Sequence, residues 1–168
     1  MGLVAAFLPA SQAGRALLLM IAALLILAAV WIIQGLGYAP CELCLTERYA
    51  FYAVAPLAAL TAYFANHGAK GIARALFNLI ALVFLANAGL AFYHVGVEQH
   101  WWPGPTACTG SLSGPVSVND LTKQLNSVRV VNCDEVQLRI LGLSLAGWDV
   151  VASMGLTIYA ALAALIRV

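Results

Sequence analysis

Charge is scarce in this chain. Only 9% of its 168 residues are Asp, Glu, Lys or Arg, against 63% that are hydrophobic, where a soluble domain carries about 25% charged residues. Four segments, residues 16–35, 49–66, 75–93 and 150–166, contain no Asp, Glu, Lys, Arg or His at all. Each is about as long as the roughly 17–25 residues that cross a bilayer core. Hydrocarbon admits only helices and closed barrels, so the expected fold is all-α. A formal net charge of +1 argues against nucleic acid as a partner. Internal repeats and low-complexity tracts are missing too. Cysteine is confined to two pairs, Cys41 with Cys44 and Cys108 with Cys133.

Acidic residues are absent from three short segments that carry basic ones. These are the N-terminus with Arg15, the connection with Lys70 and Arg74, and the C-terminus with Arg167. The intervening regions hold Glu42, Glu98, Asp120, Asp134 and Glu135 against Lys123, Arg129 and Arg139. Basic residues collect on the cytoplasmic side, so both termini are expected there and both cysteine pairs on the outer side, where disulfides persist. The expected architecture is an integral membrane four-helix bundle with helices at about 16–36, 45–65, 72–95 and 146–166. A long outer loop over about 96–145 would contain a short helix at 118–125, capped by Asn119. The first span, too long for a signal-peptide core, is expected to be retained, because Pro40 would follow any cut after Gly37-Tyr38-Ala39.

The chemistry lies in the cysteines. Cys41-Glu42-Leu43-Cys44 has the spacing of a redox dithiol and sits at the edge of an apolar span, within reach of a lipid-soluble electron carrier. The alternatives are an inert disulfide or half of a metal site. Zinc is disfavoured, because Cys108 and Cys133 are too far apart in sequence for a tight knuckle. Those two cysteines read as a loop disulfide, either a staple or a target for an attacking thiolate. Helix two is expected to begin near Cys44 or Leu45. This places Cys44 at a helix N-terminus, where a thiolate is favoured, with Arg48 one turn deeper. Arg48 is expected either to steady that thiolate or to polarise a quinone carbonyl. Its bland alternatives are snorkelling to headgroups or pairing with Glu47. His94, at the outer end of helix three, is a candidate proton carrier beside a quinone. Asn78 and Asn87 read as interhelical hydrogen bonders. Asp149, in the first turn of helix four, reads as a cap.

Several stretches together resemble one family. These are Pro40-Cys41-Glu42-Leu43-Cys44 followed by Glu47-Arg48, the Tyr93-His94 helix end, and Trp102-Pro103-Gly104-Pro105 leading to Cys108-Thr109. Asn132-Cys133-Asp134-Glu135 and Leu141-Gly142-Leu143-Ser144-Leu145-Ala146-Gly147-Trp148 complete the set. The chain resembles the bacterial disulfide bond formation protein B family, quinone-dependent thiol oxidases of the inner membrane. That resemblance implies a periplasmic loop and a relay. A reduced thioredoxin-fold (DsbA-like) thiol oxidase attacks Cys108. Cys133 is released and passes to Cys41, and Cys44 then faces a ubiquinone or menaquinone. It makes Cys41, Cys44, Cys108, Cys133 and Arg48 the reacting set, with Cys44, Arg48 and His94 at the quinone. Two other readings compete: a vitamin K epoxide reductase-like enzyme, whose cysteine pairs come in the reverse order, and a non-catalytic membrane protein with structural disulfides.

Overall fold

The computed structural model describes residues 9–105 and 132–166. They form four helices: α1 (Gln12–Gly35), α2 (Glu42–Asn66), α3 (Lys70–Glu98) and α4 (Leu145–Leu165). The described residues are mostly helical, as an apolar chain of this composition requires. α1, α3 and α4 are each long and apolar enough to cross a membrane. α2 carries Glu42, Glu47 and Arg48 in its first two turns, which lowers its apolarity relative to the others. Large side chains such as Leu25, Ile32, Leu82 and Ile158 point outward, the arrangement expected when the solvent is lipid. The segment 118–125 and Cys108 lie outside the described residues.

Local chemistry explains the helix starts. Ser11 caps α1 by accepting from the Gly14 N–H, and Ser144 caps α4 by accepting from the Gly147 N–H. Cys41 caps α2, its sulfur accepting from the Cys44 N–H. The expected start near Cys44 or Leu45 is therefore two or three residues late. Pro40 keeps the preceding chain extended, and the helix begins at the next opportunity. A small antiparallel hairpin, β1 (Arg139–Ile140) with β2 (Leu143–Ser144), precedes α4. Leu141 and Gly142 both have positive φ, the signature of a tight hairpin turn. The apolar pattern from Val136 to Leu145 shows no strand by alternation, because each strand is only two residues long.

The core is built of Phe51, Phe77, Phe84, Ile80 and Leu19, spaced by buried alanines. Small residues let helices approach closely where lipid supplies no hydrophobic drive. Each helix packs chiefly on its sequence neighbour, and α1 meets α4 only sparsely. At one end that seam is clasped. The buried Arg15 donates to the carbonyls of Pro9 and Ile166, and Tyr159 Oη donates to the Arg15 carbonyl. The two ends of the described chain thus meet. Arg15→Ala is expected to lose charge-assisted hydrogen bonds worth about 1.5–3 kcal/mol and to lower the thermal midpoint of the detergent-solubilised protein. An unchanged midpoint would mean that the clasp holds nothing. At the other end the seam stays open, and there the cysteines lie.

Candidate functional site

Cys41 is the hub. Its sulfur lies 3.0 Å from Cys44 Sγ, 3.3 Å from the Cys44 amide and 3.6 Å from His94 Nε2. Both cysteines are free thiols. Behind His94, Nδ1 meets Glu47 Oε1 at 2.8 Å, with both side chains buried. The result is a Cys41–His94–Glu47 line across α2 and α3. With a carboxylate at Nδ1, that nitrogen carries a proton and Nε2 faces the sulfur.

Cys41 stands just outside α2. The hydrogen bond from the Cys44 thiol holds its own thiol far below the usual range, at about 4, with His94 helping and burial opposing. In the free dithiol the cap position and the convergent donors favour the anion on Cys41, where helix-terminal placement alone had favoured Cys44.

Cys133 is disulfide-bonded; its expected partner, Cys108, lies outside the described residues. Cys133 is buried in one cluster with Cys41, Leu43 and Val97, and Cys44, Tyr93 and Trp102 pack against it. The structure therefore brings one member of the second pair against the first. Trp102 is fixed by its indole N–H donating to the Tyr93 carbonyl and by stacking on the Tyr93 ring. The indole lies directly over Gly96, where an added Cβ would overlap it. Gly96→Ala is expected to expel Trp102 from the cluster, cost about 1–3 kcal/mol through overpacking and shift tryptophan emission to the red. An unshifted spectrum with parental stability would show that the indole is not held there.

The cluster opens into a cavity of about 360 Å³ along the α1–α4 seam. Its walls are apolar, from Ile26, Val30 and Ile33 of α1 to Trp148 and Ala152 of α4. Cys44, Glu47, Arg48, His94 and Asp149 supply the polar end. Arg48 does not pair with Glu47. Its guanidinium donates to Gln34 Oε1 at 2.7 Å and stands 5.9 Å from the Trp31 ring centroid, held by α1 at the cavity wall.

Asp149 is not a cap, since Ser144 takes that role. It accepts from Asn87 Nδ2 and from Ser153 Oγ, one turn deeper than a capping residue stands. Asn87 is thereby an interhelical hydrogen bonder, as its place in the sequence suggests. The sequence reading missed Glu47 as the partner of His94. The available signal was spacing: Glu47 and Arg48 are consecutive, and consecutive helical residues do not face one another.

Comparison with known proteins gives one family. The family model described as "Disulfide bond formation protein DsbB" matches residues 11–163. Among curated relatives, Disulfide bond formation protein B of Marinobacter nauticus is 32% identical over 143 residues, covering 80% of this chain and 80% of its own. The protein of the same name from Saccharophagus degradans is 30% identical over 138 residues, covering 79% and 80%. That from Aromatoleum aromaticum is 31% identical over 129 residues, covering 76% of each. No solved structure matches.

Proposed function

This chain belongs to the disulfide bond formation protein DsbB family, and from that membership and the site's geometry we propose a quinone-linked thiol oxidase of the bacterial inner membrane. Four helices span the bilayer, both termini are cytoplasmic, and the cysteines face the periplasm. Its protein substrate is a reduced thioredoxin-fold, DsbA-like thiol oxidase. The observation that carries this reading is the packing of bonded Cys133 against the free Cys41–Cys44 dithiol at the mouth of an apolar cavity.

The cavity suits a quinone in size and polarity. Ligand sites of about 300–1,000 Å³ with apolar walls and a few polar groups are usual, and the sparse α1–α4 seam offers a path from lipid. Cys44 and Arg48 would hold the ring end. A quinone bound there supplies a two-electron, two-proton acceptor. The chain's residues do the rest. The partner's dithiol reduces the Cys108–Cys133 disulfide, and the released Cys133 thiolate attacks Cys41 of the inner disulfide. The Cys41–Cys133 bond forms, the Cys41–Cys44 bond breaks, and Cys44 leaves as the thiolate. Cys108 then closes on Cys133, returning Cys41 as the thiolate that Cys44 and His94 stabilise. Two electrons and two protons have reached the inner pair, and they leave as its disulfide re-forms. Glu47 keeps the His94 imidazole turned toward Cys41 throughout.

The decisive experiment pairs purified protein with a reduced thioredoxin-fold substrate and a soluble quinone, following quinone absorbance. Quinone reduction that disappears in Cys44→Ser is expected, as is a mixed disulfide with the partner trapped by Cys133→Ser. Thiol oxidation without quinone consumption would defeat the reading, and so would quinone reduction that survives Cys44→Ser.

A further inference from the structure

The groups around Cys41 have a chemical capacity beyond disulfide exchange. Cys41 Sγ, Cys44 Sγ and a His94 ring nitrogen all lie within 4.8 Å of one another. A tetrahedral ion with bonds of about 2.3 Å to sulfur and about 2.0–2.1 Å to nitrogen holds two thiolates roughly 3.8 Å apart, and a thiolate and an imidazole roughly 3.5 Å apart. Here His94 Nε2 stands 3.6 Å from Cys41 Sγ, and the two sulfurs are 3.0 Å apart. The imidazole is already at the required separation from Cys41 and within 4.8 Å of Cys44, and the sulfurs need to open by less than about 1 Å.

Two further observations favour a cation. Glu47 anchors His94 Nδ1 at 2.8 Å, the carboxylate–histidine support that orients metal-ligating imidazoles. Glu98 lines the same cavity, and its Oε2 is buried with no hydrogen-bond partner among the described residues.

The geometry points to a redox-gated site for a thiophilic divalent cation of the zinc class, formed by Cys41, Cys44 and His94 when the dithiol is reduced. Two sulfurs and one nitrogen select a soft or borderline ion over magnesium or calcium. Three protein ligands leave the fourth position to water. Binding displaces the protons that the ligands still hold and moves no electrons, so the sulfurs stay at the thiol level. The bound ion ties up both sulfurs and stops the dithiol from passing its electrons on. Oxidation of the pair removes both thiolate ligands and releases the ion. The site requires no quinone.

The test uses the full chain in detergent with Cys108 and Cys133 both replaced by alanine, so that Cys41 and Cys44 are its only cysteines. Cd²⁺ is titrated into the reduced and the oxidised protein, with quinone absent, and the thiolate-to-cadmium charge-transfer absorbance is followed. Zn²⁺ serves as competitor. One Cd²⁺ per reduced chain, displaced by Zn²⁺, and none per oxidised chain are expected. Glu47→Gln should weaken binding by about 10- to 100-fold, the usual loss when the outer support of a ligating histidine is removed. His94→Gln should weaken it at least as much. Equal binding by the reduced and oxidised forms would overturn the site without any variant. Parental affinity in both His94→Gln and Glu47→Gln would also overturn it, leaving only two thiols acting as a chelator. Either failure leaves the quinone-linked activity standing, because that activity is read separately.

Discussion

Arg48→Lys is expected to raise the quinone KM and to lower kcat/KM by about 10- to 150-fold, with Arg48→Met more severe. Such a loss corresponds to one charge-assisted hydrogen bond of about 1.5–3 kcal/mol. The structure gives the reason that lysine should fail. Arg48 is fixed by Gln34 Oε1 on one side and lies near the Trp31 ring on the other, which leaves the rest of its planar fork for the cavity. Lysine keeps the charge but presents a point donor on a flexible stem, without the stacking plane. A snorkelling arginine would be replaced by lysine without penalty, since either reaches the headgroups. Steady-state rates at varied quinone and saturating reduced partner separate the two. Unchanged quinone dependence in both variants would remove Arg48 from the site.

The parts of the site that were legible in the sequence were those encoded locally. Cysteine spacing identifies the Cys41–Cys44 dithiol, and the charge-free runs identify the apolar helices. What stayed hidden depends on register between helices. His94 meets Cys41 and Glu47 across separations of 53 and 47 residues, and no periodicity within α2 or α3 reports which faces oppose. Asp149 looked like a cap for a similar reason. Its partner Asn87 lies 62 residues away, and only the packing of α3 on α4 brings them together. The start of α2 was misplaced because a charge-free run marks the apolar part of a helix rather than its beginning. Glu42, Glu47 and Arg48 are all helical, with Glu47 and Arg48 satisfied inside the protein by His94 and Gln34. The shift bears on the chemistry, since it makes the Cys41 sulfur the cap of α2.

That placement of the anion can be measured directly. In the reduced protein Cys41 is expected to titrate near 4, far below the free-thiol value of about 8.5. The largest cause is the hydrogen bond from the Cys44 thiol, and His94 contributes less. Cys44→Ala should therefore raise the Cys41 midpoint most, because burial then acts with less opposition. His94→Gln should raise it by a smaller amount. The direction follows from which form is stabilised: the partners favour the thiolate, so losing one leaves more protonated thiol at any given pH. At pH 6 the Cys44→Ala chain should be alkylated at Cys41 more slowly than the parent, since less of the thiol is then anion. Mass-spectrometric alkylation rates across pH, with Cys108 and Cys133 replaced by alanine in every chain, give the midpoints. A wild-type midpoint near 8.5 would return Cys41 to an ordinary thiol. A larger shift in His94→Gln than in Cys44→Ala would make the imidazole, rather than the neighbouring thiol, the main support of the anion.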